Sequence, residues 1–307
     1  MVKARLTPAV GAGFTLIAQR PVSVLVWGLV YILISFAPVA VLLAGSLPEI
    51  IAGYREMLAD PESMAAGPPA ALAKLRGLQG LQLLCGLAAV AIVYTAIFRA
   101  VLRPEQSSSF SLRFGMDEFR VAGVAAVLYI FMIVAIVALV LVGAIIGVAA
   151  AAASGGAPSA VGILVIVLLA LAAVIALIYL GGRLAMALPM TVAQGKFRLF
   201  EAWTLTRGYG WKLVGVFLLL VLIVIGIEIL TLGIAGGVIF AMVGGFDASS
   251  MSNLTGGFAK IAPLVAILSL VYLALMSVLL PITIAPWARA YQLIDQTTAT
   301  AASALFE

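Results

Sequence analysis

Long apolar runs, broken by short clusters of basic and turn-forming residues, set the rhythm of the chain. No charged residue occurs between Arg120 and Arg183. About 20 apolar residues at 1.5 Å each cross roughly 30 Å of hydrocarbon, so that interval alone holds two crossings. Apolar runs between charges predict six spanning helices, over 22–45, 78–102, 121–153, 160–188, 213–243 and 261–288. The third to fifth are longer than a perpendicular crossing needs, which predicts tilt or protruding ends.

Turn chemistry separates the runs. Ser154-Gly155-Gly156-Ala157-Pro158 divides the uncharged interval, and Gly244-Gly245-Phe246-Asp247 with the stretch 249–257 ends the fifth run. The first loop is the longest polar stretch and carries Asp60-Pro61 and Gly67-Pro68-Pro69, with a short interfacial helix predicted over 49–58. Pro38, Pro281 and Pro286 are expected to bend the first and last spans, the latter pair freeing carbonyls near Thr283.

Composition turns this pattern into a class. Of 307 residues, 65% are hydrophobic and 9% charged, with a mean hydropathy of +1.27. Soluble domains carry roughly a quarter charged residues, so a soluble globule is excluded. The expectation is an all-α polytopic membrane protein, 1–307 forming a single integral membrane domain. Lys3 and Arg5 resemble the start of a signal peptide. Gln19, Arg20 and Pro21 interrupt the apolar stretch before any cleavage site, so the first long run is expected to stay as an anchor.

Absent residue types exclude chemistries. There is no histidine, which removes Ser-His and Cys-His catalysis and the usual zinc ligand sets. A single cysteine, Cys85, rules out an intrachain disulfide. No enzyme activity, metal or cofactor is expected. The pI near 9.5 reads as topology signals meeting anionic lipid rather than as a nucleic-acid surface.

Lys and Arg positions give an orientation. One side collects Lys3, Arg5, Arg20, Arg99, Arg103, Arg113, Arg120, Arg183, Lys196, Arg198, Arg207, Lys212 and Arg289, against Arg55, Lys74, Arg76 and Lys260 on the other. This bias predicts cytoplasmic N- and C-termini and cytoplasmic arginine-rich loops.

Three odd-numbered spans open alike: Arg20-Pro-Val-Ser23-Val24, Arg120-Val-Ala-Gly123-Val124 and Lys212-Leu-Val-Gly215-Val216. Tyr94 and Tyr179 each precede a proline, Pro104 and Pro189, by ten residues, with Arg99 and Arg183 between; Trp287 and Arg289 mark a looser third exit. These signatures predict three parallel helix-pair repeats, 1–103, 104–193 and 194–295, each introduced by a cytoplasmic interfacial segment. Free use of Gly and Val after a base in membrane helices is the plainer account.

The interfacial segments mix aromatics with charges. Phe110, Leu112, Phe114, Met116 and Phe119 accompany Arg113, Asp117 and Glu118, while Phe200 and Trp203 accompany Arg198, Glu201 and Arg207. Such segments suit helices lying among headgroups. Arg99, Arg103, Arg113, Arg120, Arg183, Arg198, Trp203, Arg207, Trp211 and Lys212 form the expected lipid-headgroup interface, Arg99 and Arg183 as snorkelling anchors.

The run Glu201-Ala-Trp203-Thr-Leu-Thr-Arg207-Gly-Tyr-Gly-Trp211-Lys-Leu-Val-Gly215-Val, followed by a leucine-rich span, resembles the membrane domain attached to some bacterial glycerophosphoryl diester phosphodiesterases. The match covers roughly 30 residues. The resemblance implies a bacterial inner-membrane helical domain that also occurs without the enzyme. It brings no catalytic residues, since the phosphodiesterase activity belongs to a separate barrel using histidines and a metal.

Glu228 stands alone among apolar residues in the fifth span, with Thr231 one helical turn on. An ionised carboxylate there costs several kcal/mol, so it must be protonated, paired or in a polar cavity. It reads either as a proton, cation or substrate site or as a protonated residue joining helices, with Arg99 or Arg183 as candidate partners. Gly143 with Gly147 and Gly233 with Gly237 offer close helix approach. Three function classes are weighed: a non-catalytic envelope protein in lipid organisation, envelope maintenance or partner assembly; a transporter or channel centred on Glu228; and an intramembrane enzyme, disfavoured by the lack of histidine and by only a single acidic residue at depth. Expected partners are membrane lipids and other membrane proteins.

Overall fold

The computed structural model describes residues 5–42, 45–46, 48–49, 52, 70–106, 109–153, 155, 160–243 and 258–303. The first-loop turns, most of the 49–58 segment and the turns at 156–158 and 244–257 lie outside them.

The described residues are helices and connecting turns, without a strand. In chain order they form α1 (Thr7–Val10), α2 (Ala12–Gln19), α3 (Pro21–Ser35), α4 (Ala70–Ala89), a π-helical turn (Val90–Tyr94) and α5 (Thr95–Leu102). There follow α6 (Met116–Ala153), α7 (Ala160–Leu184), α8 (Ala187–Gln194), α9 (Glu201–Leu205), α10 (Gly210–Val243) and α11 (Phe258–Ser303).

Among the described residues, five stretches are long and apolar enough to cross a membrane: Gly77–Leu102, Met116–Ala152, Ala160–Gln194, Gly210–Met242 and Pro263–Thr297. A sixth is reached if Thr7–Gln19 and Pro21–Ser35, bent by 101°, count as one span. The chain is thus a multi-pass α-helical protein by length and apolarity.

The first predicted span is interrupted beside Pro38, where a bend was expected. Its helix stops at Ser35, turns at Phe36 and resumes over 37–42. Pro38 explains the break, because it has no N–H for the ladder and disfavours helical geometry just before it. Phe36 N–H still bonds Ile32 O at 2.9 Å and Ala40 N–H bonds Phe36 O at 2.8 Å, so the chain bends without stopping. In α11, by contrast, the helix runs through Pro281 and Pro286. There the Thr283 hydroxyl donates to Leu279 O at 2.8 Å, so it serves its own helix.

Packing is concentrated at the end of the bundle that carries the basic residues. One core joins Leu6, Ala9, Met186, Leu213, Tyr291 and Ile294; another joins Leu16, Trp27, Phe98, Val121, Ile284 and Ala288. At the opposite end the helices present bare aliphatic side chains such as Val140, Val148, Val161 and Leu232. That surface would be costly in water and is neutral against lipid. Gly28 lets α3 close on Ser277 of α11, where a Cβ would collide with the serine.

Candidate functional site

Arg99 sits one turn before the end of α5, where the helix carbonyls favour a cation. Its residue is 5% exposed, and the guanidinium donates to Ser111 O at 3.0 Å and Glu118 Oε1 at 2.9 Å. The other Glu118 oxygen accepts the Gly115 N–H at 2.9 Å, capping the start of α6. Asp117 lies 3.6 Å from Arg99 and accepts from Arg120 at 3.1 Å. One arginine therefore joins the end of α5 to the start of α6.

Arg183, 6% exposed near the end of α7, repeats the arrangement. Its Nε donates to Thr206 Oγ1 at 2.9 Å, its Nη2 bonds Trp203 O, and its guanidinium stacks 3.4 Å above the Trp203 ring. It holds the α9 segment that leads into α10. Both arginines were expected to snorkel to headgroups; their guanidinium groups instead face protein carbonyls, hydroxyls and carboxylates. The residue type and depth were legible, but acceptors 12 to 23 residues away were not.

Below these staples the ends of α5, α8 and α11 tie into a closed ring. Arg103 Nη2 donates to Val192 O at 2.9 Å and Ala193 O at 3.1 Å. Gln194 Nε2 donates to the Tyr291 hydroxyl at 3.4 Å, and Gln292 Nε2 to Val101 O at 3.1 Å. The ring borders a polar hollow of about 380 Å³ that also reaches Asp295 and Gln296.

The same end of the bundle borders a second, partly open space. An apolar chamber of about 430 Å³ is lined by Tyr94 and Phe98, by Gly181 and Leu188, and by Thr283 and Trp287. Met132 of α6 and Phe217 of α10 complete it, and no charged residue lines it. Phe98 faces the chamber and Leu102 the hollow; Trp287 faces the chamber and Tyr291 the hollow. Four residues rise about 6 Å, so the two spaces stack along the bundle roughly one helical turn apart. Among the described residues, the Tyr94 hydroxyl and the Trp287 indole N–H have no hydrogen-bond partner.

Outside the staples, aromatic side chains face outward. Phe114, Phe119, Phe200 and Trp211 are exposed, the last at 69%. Arg113, Arg207 and Lys212 are exposed beside them. Arg198 pairs with Glu201, and this hydrogen bond, then the backbone one, holds the Glu201 carboxyl below its usual range. Lys212 Nζ lies 5.5 Å from the Tyr209 ring centre.

Glu228 is exposed on α10, far from both staples, and no ion pair or hydrogen bond engages it among the described residues. Neither Arg99 nor Arg183 is its partner. Thr231, one turn on, serves its own helix, its hydroxyl donating to Ile227 O at 2.9 Å. Gly143 and Gly237 meet no neighbouring helix. Among the described residues no cluster of His, Cys, Asp and Glu could hold a metal ion.

Sequence reasoning missed Gln194, Tyr291 and Gln292, because single amides near a helix end carry no signal. Tyr94 and Trp287 were visible as markers of span exits, but not as walls of a chamber. Neither a family model, nor a curated protein, nor a solved structure matches the chain.

Proposed function

We propose that the chain is a non-catalytic, multi-pass protein of the bacterial inner membrane, acting in lipid organisation, envelope maintenance or partner assembly. Its basic end and both termini face the cytoplasm. The observation that carries this reading is the outward belt of Phe114, Phe119, Phe200 and Trp211 around a core of inward-turned arginines. Aromatic rings are favoured at headgroup depth, where an apolar body meets a wet boundary. Arg113, Arg207 and Lys212 add attraction for anionic lipid. The phosphodiesterase-type motif 201–216 supports the same assignment, since it covers α9 and the entry to α10.

Three parallel helix pairs suit this role. Arg99 and Arg183 each fasten an exit to the next entry, and the ring ties the three exits together. Purification from bacterial membranes in mild detergent, with mass spectrometry of what remains bound, tests the proposal. Enrichment of a lipid class or a membrane protein over the bulk membrane is expected; bulk composition alone would overturn it.

Transport centred on Glu228 is the second reading, favoured by one observation. Glu228 lies eleven residues, about three helical turns, beyond Phe217, so it continues the α10 face that lines the chamber. Complementation of a deletion phenotype by Glu228→Gln decides it: loss supports proton coupling, and unchanged growth rules it out.

A further inference from the structure

The chamber between the three exits has a wall unlike the rest of the bundle. Two of the elements that build it break regular α geometry beside it, and a third carries two prolines there. The π-helical turn ends at Tyr94, the α7–α8 break falls at residues 185–186, and Pro281 and Pro286 bracket Thr283. Irregular backbone at membrane depth is tolerated where it lines a cavity, and π turns recur at functional sites. A volume of about 430 Å³ is within the range of ligand pockets, roughly 300–1,000 Å³.

What fills it follows from its chemistry. A water molecule needs two to four polar partners, and this lining is almost wholly apolar. An ion would meet no charge. Two donors are nevertheless left over, the Tyr94 hydroxyl and the Trp287 indole N–H, and an unpaired donor in an apolar place is costly. The complementary ligand is therefore long and apolar, with one or two acceptor oxygens.

We propose that the chamber binds a long acyl chain, with its ester or carboxyl oxygens accepting hydrogen bonds from Tyr94 and Trp287. This rests on the lipid reading above and adds to it a site inside the bundle, separate from the outer aromatic belt. The chain end lies among Phe98, Met132, Phe217 and Ile284. Gly181 leaves the wall open, as a Cβ there meets nothing within 4 Å. The chamber thus accepts a chain without displacing backbone.

The test uses the full chain in mild detergent, titrated in one arm with oleic acid and in the other with a dioleoyl phospholipid, and read by native mass spectrometry. Wild type should hold one acyl ligand, and the arm that saturates first identifies a free acid or a phospholipid as its source. Gly181→Phe fills the chamber and should lower occupancy at least tenfold. Trp287→Phe removes a single donor and should weaken binding about threefold to tenfold. Phe119→Ala, on the outer belt, should leave this ligand in place. Full occupancy in both Gly181→Phe and Trp287→Phe would overturn the chamber assignment while leaving lipid enrichment at the belt intact. Absence of acyl ligand from wild type in both arms would overturn the chamber assignment; absence of lipid or protein enrichment from membranes would overturn the broader reading.

Discussion

Arg99 shows how far a single position can be read from sequence. Its depth near a helix exit was legible, and so were Asp117 and Glu118 in the next segment. That these meet was not, because the contact depends on how the loop folds back. Removing one partner of a buried ion pair costs up to about 3–5 kcal/mol, and less where a second carboxylate remains, as Asp117 does 3.6 Å from Arg99. Glu118→Gln and Arg99→Met should each destabilise the protein by up to that amount, measured by thermal unfolding in detergent. The double variant should cost less than the sum, since the two act on one pair. Additive losses would mean that the pair contributes no mutual stabilisation. Glu228 gives the converse case: sequence singled it out, yet the structure leaves it exposed and without a partner among the described residues. Glu228→Gln should therefore change thermal stability by under about 0.5 kcal/mol.

At the scale of elements, five of the predicted spans reappear as apolar helical stretches, although the fourth and the last run on past their expected ends to Gln194 and Thr297. Apolar run length and flanking charge are enough for that, because each helix satisfies its own backbone in lipid. The breaks were harder. Pro38 announced a bend, and the turn at Phe36 follows from it. The π-helical turn at Val90–Tyr94 has no sequence signature, and the α7–α8 break has Gly181-Gly182 before it and Pro189 after it but no turn cluster. The ring among α5, α8 and α11 was invisible because its acceptors are mostly backbone carbonyls. Gln292→Leu removes the donor to Val101 O and should cost about 1 kcal/mol in thermal stability. It should also raise the labelling rate of a cysteine placed at Ala193, which borders the hollow and joins the ring only through its carbonyl. An unchanged rate would show that the ring does not hold the exits together.

For the whole molecule, composition alone separates this chain from soluble proteins, and the charge bias underlies the orientation proposed above. The packed half of the bundle coincides with the basic end, where staples, ring and chamber all lie. The account depends on every exit and every entry reaching that same end. Only the first span puts this in question, since α3 is short and follows a 101° bend. Cysteine accessibility in a Cys85→Ser background tests the point most directly, with single cysteines replacing Thr7, Arg113, Gly155 and Lys196 in turn. Thr7, Arg113 and Lys196 positions should react with an impermeant reagent only from the cytoplasmic side, and the Gly155 position only from the other. A Thr7 position labelled from the side opposite Arg113 would contradict the six-crossing arrangement and leave five.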